Sequence, residues 1–264
     1  MARPTTFRGE VERRAAAARR ALRSAATPSK FDLRAYLGAP APVLGVSAPG
    51  LERIARSILR TPNPLPDPLL LPLARRLWRG ATYDERALAI VLLHRSRAGR
   101  SEAAWRTTSR WVDAATGWGL CDALSGGPIA TMVAERPARL RELIAWSASA
   151  NPWRRRAALY ALNRLVRSGD LDGPFRVIDR LREDPEFWVQ RAVGTWLREC
   201  WKQDEGRTRR YLGRYARQLP PVALTVATER APAPFRARLR RRARSARRPR
   251  KRGAGRPRSP AASG

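Results

Sequence analysis

Aromatic residues recur along the chain at a fixed interval of 35 positions: Tyr83, Trp118, Trp153 and Trp188. Their neighbours keep the same register. Three positions after each aromatic stand Arg86, Cys121, Arg156 and Arg191, and one further on stand Ala87, Asp122, Ala157 and Ala192. The segments 153–158 (Trp-Arg-Arg-Arg-Ala-Ala) and 188–193 (Trp-Val-Gln-Arg-Ala-Val) show the likeness best. Recurrence at this period marks stacked helical pairs, in which each unit buries its apolar face against the next. The aromatic then reads as a packing knob and the small residue as a close helix contact.

Helix-start signals agree. Ser47 with Pro49 opens one start, and Thr82-Tyr-Asp-Glu85 is a capping-box pattern. Asn151-Pro152 and Asp184-Pro185 each place a capping side chain before a proline suited to a first helical turn. No run alternates β-branched residues as a strand would. The chain is expected to be all-α: a flexible stretch over 1–8, a solenoid of helical pairs over 9–229, and a basic tail over 230–264.

Charge narrows the class of partner. The 264 residues carry 54 Lys and Arg against 22 Asp and Glu, a net charge of +32. Only three of the basic residues are lysine, which leaves 51 arginines. Such an excess points to a polyanion, nucleic acid before an anionic membrane surface. Hydrophobic residues still form 43% of the chain, nine tryptophans among them, enough for a real core. Two cysteines, Cys121 and Cys200, make no disulfide framework, and the single His94 argues against zinc. The N-terminal stretch lacks an apolar signal-peptide core, and the longest aliphatic run, 87–93, is too short to cross a bilayer. A cytoplasmic, nucleoid-associated protein is expected.

No acidic residue follows Glu229, and the segment 230–258 alone contributes +14. From Arg236 onward the composition of Arg, Ala, Pro, Ser and Gly predicts disorder. Within it, Lys251-Arg-Gly-Ala-Gly-Arg-Pro-Arg258 resembles an AT-hook, although Ala254 stands where an arginine usually precedes the core glycine. Arg252, Arg256 and Arg258 would contact DNA either as a true hook or as a polybasic tail. Both give salt-sensitive, sequence-poor affinity.

The second repeat breaks its own pattern. Where the others have alanine it has Asp122, one helical turn after Trp118, on a helix that Ser125-Gly-Gly-Pro128 should end early. A carboxylate at such a position is either an ion-paired structural acid or a functional group lining a cleft.

Here the sequence resembles a known family. Trp118-Gly-Leu-Cys-Asp122 is similar to the Trp-x-x-x-Asp motif of the AlkD-type DNA alkylation repair enzymes, HEAT-like repeat DNA glycosylases. Arg34-Ala-Tyr36, Gly45-Val46 and Pro49-Gly-Leu-Glu-Arg-Ile-Ala55 resemble the family's first helical segment. Phe187-Trp-Val-Gln-Arg-Ala-Val-Gly194, leading into Leu197-Arg-Glu199, resembles a late one. The likeness spans about residues 30–215. It implies a HEAT-like α-solenoid that grips duplex DNA by its backbone, with Asp122 as the catalytic carboxylate and Trp118 and Tyr36 beside the lesion. It implies Arg156 at the DNA backbone. Arg191, its equivalent in the repeat, is expected to share that role, with Arg154 and Arg155 nearby.

Two positions depart from the family. The second cleft tryptophan falls on Thr195, and Trp196 follows about 100° further round the helix. Gly119 stands where an acid commonly follows the motif tryptophan. The change at Thr195 leaves a slower enzyme, one for other lesions, or a protein that only binds DNA as alternatives. His94 is expected at a solvent edge near a helix end, and Cys121 as a small packing residue.

The chemistry implied is hydrolysis of an N-glycosidic bond through an oxocarbenium-like sugar, which a nearby carboxylate stabilises. A purine alkylated at N3 or N7 is already cationic and leaves neutral, so no general acid, metal or cofactor is expected. Aromatic faces at Trp118 and Tyr36 would add a cation–π contact of roughly 0.5–2 kcal/mol. The expected partner is alkylated double-stranded DNA, met by a monomer without a membrane. The rivals are a non-catalytic HEAT-like DNA-binding protein, architectural or lesion-sensing, and an RNA- or ribosome-associated factor.

Overall fold

The computed structural model describes residues 7–60 and 64–247, and every regular element among them is helical. The N-terminal helices are α1 (Phe7–Ser24), the short α2 (Leu33–Leu37) and α3 (Ala48–Arg60). The repeats follow as α4 (Asp67–Trp78), α5 (Tyr83–Arg95), α6 (Glu102–Ala114), α7 (Trp118–Leu124), α8 (Ala130–Glu135) and α9 (Leu140–Trp146). They continue as α10 (Pro152–Tyr160), α11 (Asn163–Arg167), α12 (Asp172–Leu181) and α13 (Phe187–Gln203). The C-terminal helices are α14 (Glu205–Tyr215), α15 (Pro221–Ala227) and α16 (Ala233–Arg247).

The periodic aromatics mark matching points in this series. Tyr83, Trp118, Trp153 and Trp188 each occupy the first or second residue of a helix, on α5, α7, α10 and α13. Those helices pack in sequence, α5 on α7, α7 on α10, α10 on α13, and α13 on α15, forming one layer. Their partners form the second, joined by aromatic rungs. Trp78 of α4 stacks on Trp111 of α6 at 4.4 Å, Trp105 of α6 on Trp146 of α9 at 5.7 Å, and Phe175 of α12 meets Tyr211 of α14 at 5.0 Å. Each such pair stabilises by about 0.5–1.5 kcal/mol beyond its buried area.

Two caps fall where the sequence signals place them. Thr82 accepts from the Glu85 amide at 3.3 Å while Glu85 accepts from the Ala81 amide at 3.2 Å. Asn151 accepts from the Trp153 amide at 2.9 Å. The Asp184-Pro185 signal differs: Asp184 accepts from the Glu186 amide at 2.9 Å in a turn before the helix, and α13 starts only at Phe187, with Glu186 at its N-cap and Pro185 outside it. Each cap is worth about 1 kcal/mol.

Two boundaries differ from expectation. The first helix already begins at Phe7. The supposed tail starts as an ordered helix, α16, because Phe235 and Leu239 lie on one face of it and are buried in the core. The Phe235 ring sits 5.6 Å from Trp201, and Arg209 stacks over its face at 5.0 Å. Phe235 and Leu239, four positions apart, with Ala243 one turn further on, dock a helix otherwise rich in arginine. The AT-hook-like segment with Arg252, Arg256 and Arg258 lies outside the described residues. No helix among the described residues is long and apolar enough to cross a membrane.

Candidate active site

Helix α7 carries both halves of the sequence motif, and a glycine contact sets its start. Gly117, at the N-cap, has φ +83°, and Gly38, which ends α2, has φ +63°. A Cβ on Gly117 would lie 2.1 Å from the Gly38 carbonyl oxygen, so the two segments meet backbone to backbone. That contact brings Tyr36 over Trp118. The indole Nε1 donates to the Tyr36 carbonyl at 2.6 Å, and the rings meet edge to face with centroids 5.1 Å apart. Phe31 meets Tyr36 in the same fashion at 5.8 Å. Tyr36 is 58% exposed, presenting an aromatic surface to solvent at the mouth of α7.

Gly119 is explained by its neighbour. A Cβ there would stand 2.6 Å from the Tyr83 hydroxyl, which occupies the space an acidic side chain would need. Burial pushes the Tyr83 phenol up to about 12. Cys121 is fully buried, and its thiol donates to the Trp153 carbonyl of the next repeat at 3.3 Å. The Ser125–Pro128 segment ends α7 as expected, through a wide helical turn with a non-helical Gly127, and Asn163 donates to the Gly126 carbonyl at 2.7 Å.

One turn into α7, Asp122 lines an open cleft of about 480 Å³ with Gly126, Gly127, Tyr160, Asn163, Thr195, Trp196 and Glu199. Arg156 holds the carboxylate from below. Its Nε donates to Oδ1 at 2.8 Å and its Nη2 to Oδ2 at 2.7 Å. The same guanidinium donates through Nη1 to the Trp188 carbonyl and through Nη2 to the Tyr160 hydroxyl at 3.0 Å. Every guanidinium nitrogen of Arg156 therefore has a protein partner, and the residue is only 4% exposed. Expected as a contact to the DNA backbone, Arg156 is instead turned inward onto Asp122.

Burial lifts the Asp122 carboxyl above its ordinary range, opposed by the guanidinium of Arg156. The Arg156 side chain, for its part, is raised by its bond to Asp122 despite burial. Both carboxylate oxygens accept from one guanidinium, the geometry of an ionised acid. Tyr160 completes the cluster. Its hydroxyl faces Asp122, and burial raises its phenol. Its ring lies under the Arg156 guanidinium at 4.6 Å and meets Trp196 edge-on at 5.5 Å. Nothing in the sequence motif pointed to Tyr160. Its signal was its place four residues after Arg156, one turn along the same helical face. Glu199, four after Thr195 on α13, is a second acid at the cleft; against burial, Lys202 and Arg198 hold it below the usual carboxylate range.

The structure thus groups Asp122, Arg156, Tyr160, Thr195 and Trp196 at the cleft. Tyr36 and Trp118 form a separate aromatic pair at the start of α7. Trp196 is buried, and its indole N–H has no partner. Arg191 is exposed, its guanidinium 5.9 Å from the Phe187 ring. Arg154 and Arg155 are half-buried and bound to Asp113 and Asp184. His94 lies near the end of α5 and is half-buried at the edge of a groove: its Nδ1 is buried without a partner, its ring faces Gly127, and burial lowers its pKa. No cluster of three potential metal ligands occurs among the described residues.

The family profile of the DNA alkylation repair enzymes matches residues 18–231. The chain belongs to that family. Membership places it in DNA repair, with DNA as its partner. Among solved structures, this alkylation repair protein is similar to a predicted DNA alkylation repair enzyme from Enterococcus faecalis, with TM-score 0.66 and 20% identity over 76% of this chain and 93% of that one. It is also similar to AlkD2 from Streptococcus mutans, with TM-score 0.60 and 15% identity over 85% and 99% of the two chains. At these identities the likeness shows the helical-repeat fold. Comparison with curated proteins gives no match. In this family member, then, Asp122 sits in an open cleft and is braced from the neighbouring repeat.

Proposed function

We propose that the protein is a DNA glycosylase that hydrolyses the N-glycosidic bond of purines alkylated at N3 or N7 in duplex DNA. The observation that carries this reading is Asp122, a carboxylate that reaches an open cleft while a buried guanidinium fixes its orientation. As the C1′–N9 bond breaks, its electron pair neutralises the cationic base, so no acid is needed for departure. The positive charge left on the sugar is stabilised by Asp122, which also orients water for attack at C1′. Tyr36 and Trp118 offer ring faces to a cationic base. Arg191 engages backbone phosphates, with Arg154 and Arg155 adding positive potential.

Incubation with a duplex carrying 3- or 7-methylpurine should release the free base, and Asp122→Asn should abolish that release. Release that survives Asp122→Asn would remove this residue from the chemistry. No release from any cationic lesion would remove the activity.

Two observations favour a second reading, a lesion-sensing protein that binds DNA without cutting it. Thr195 leaves the cleft without the family's second tryptophan, and Asp122 is fully partnered as a structural ion pair would be. Tight binding of a methylated duplex with no base release would select it.

A further inference from the structure

The groove between α4 and α6 differs in charge from its neighbours in the same layer. Trp78 and Trp111 stack across it with planes within 4°, and Arg75, Arg79, Thr107 and Arg110 complete its walls around about 310 Å³. No acid lines it, and among the described residues none of the three arginines is in an ion pair. A fourth, Arg86, lies 5.9 Å from the Trp78 centroid with its Nε buried and unpartnered.

Neighbouring grooves show how such arginines are ordinarily compensated. Over the Trp105–Trp146 rung, Arg139 binds Glu102 at 2.7 Å and Arg154 binds Asp113 at 2.5 Å. Over Phe175, Arg207 binds Asp172 at 2.8 Å. Each of these rungs couples arginine to an acid; the α4–α6 rung holds its arginines without one. Clustered guanidinium groups repel unless an anion is supplied from outside. Arg75 is also held in place, since its Nη2 donates to the buried Thr107 hydroxyl at 2.8 Å.

We propose that this groove is a phosphate-binding site, in which Arg75, Arg79 and Arg110 hold the anion's oxygens above the stacked indoles. Guanidinium forks match phosphate geometry, and the apolar floor removes water from one side of those hydrogen bonds. None of its residues lines the Asp122 cleft, so the site does not rest on the glycosylase reading. The phosphate belongs either to the backbone of bound DNA or to a free anion such as a nucleotide.

The test is ¹⁹F NMR of the full chain labelled with 5-fluorotryptophan, with the two resonances assigned through Trp78→Phe and Trp111→Phe. Inorganic phosphate should shift both saturably, whereas chloride at equal ionic strength should not. The Arg79→Gln/Arg110→Gln variant changes two exposed side chains, and should weaken apparent phosphate affinity at least tenfold with unchanged circular dichroism. A short duplex that moves the same resonances, with a salt slope reduced by about one to two in the variant, supports the proposal with backbone as the source. A duplex that leaves them unmoved while phosphate shifts them supports it with a free anion as the source. No saturable response to phosphate, or a response unchanged in the double variant, overturns it. Asp122→Asn should leave the phosphate response intact, which separates this outcome from any failure at the cleft.

Discussion

Asp122 and Arg156 come from successive repeats and meet as two parallel hydrogen bonds of 2.8 and 2.7 Å. Arg156→Ala would strip a partner from the carboxylate and a donor from the Trp188 carbonyl. It should cost about 3 kcal/mol in urea unfolding. Arg156→Lys keeps the charge but not the fork, so it should recover part of the stability and little of any base release. Equal behaviour of lysine and arginine in both measurements would show that orientation of Asp122 is unimportant.

Tyr160 tests the cleft from its other side. Tyr160→Phe removes the hydroxyl that faces Asp122 and accepts from Arg156, while keeping the ring under the guanidinium. A loss of about 1 kcal/mol is expected. Base release should fall more than duplex binding, as single-turnover kinetics and titration would report.

The glycine contact beneath the aromatic pair should tolerate no side chain. Gly117→Ala places a Cβ against the Gly38 carbonyl and an L-residue at φ +83°. A destabilisation of about 2–3 kcal/mol is expected from the strained backbone and the clash. Faster hydrogen exchange across residues 33–38 should accompany it.

His94 gives the fold a pH dependence of known sign. Burial, then Arg95 and Arg164, lower its folded pKa below the ordinary 6.5. The unfolded chain then binds the proton more readily, so stability is lost as pH falls through about 6.5 towards the folded value. Urea midpoints at pH 7.5 and 5.5 should differ more for the natural protein than for His94→Gln. The same slope in both would assign the effect elsewhere.

The C-terminal helix should behave as part of the domain. Phe235→Ala should cost about 3 kcal/mol, since the ring is buried against Trp201. Deleting residues 233–264 should lower the melting temperature by many degrees.

Much of this architecture was legible because its packing is periodic. The spaced aromatics located four helix starts, and a single carboxylate out of register marked the cleft. What escaped was contact between repeats. Arg156 was visible as a basic residue on a repeat helix, but its burial depends on Asp122, Tyr160 and the Trp188 carbonyl converging from three helices. Composition misled at the C-terminus, where the arginines outnumber the apolar residues Phe235, Leu239 and Ala243 that pack the helix on the core. The burial of the His94 Nδ1 was not legible either, since the turn at Gly127 that faces the ring is a tertiary feature.

The hydrogen bonds from Cys121 to the Trp153 carbonyl and from Arg156 to the Trp188 carbonyl repeat one linkage at successive steps of the solenoid. Asp122 is thus aimed by the pitch between neighbouring units, and no single unit carries the cleft. A superhelix that flexes on engaging DNA would alter that aim without touching a residue of the motif. Changes remote from the cleft that stiffen or loosen the stacking would then tune its chemistry, and an excised second repeat would keep the acid but lose its direction.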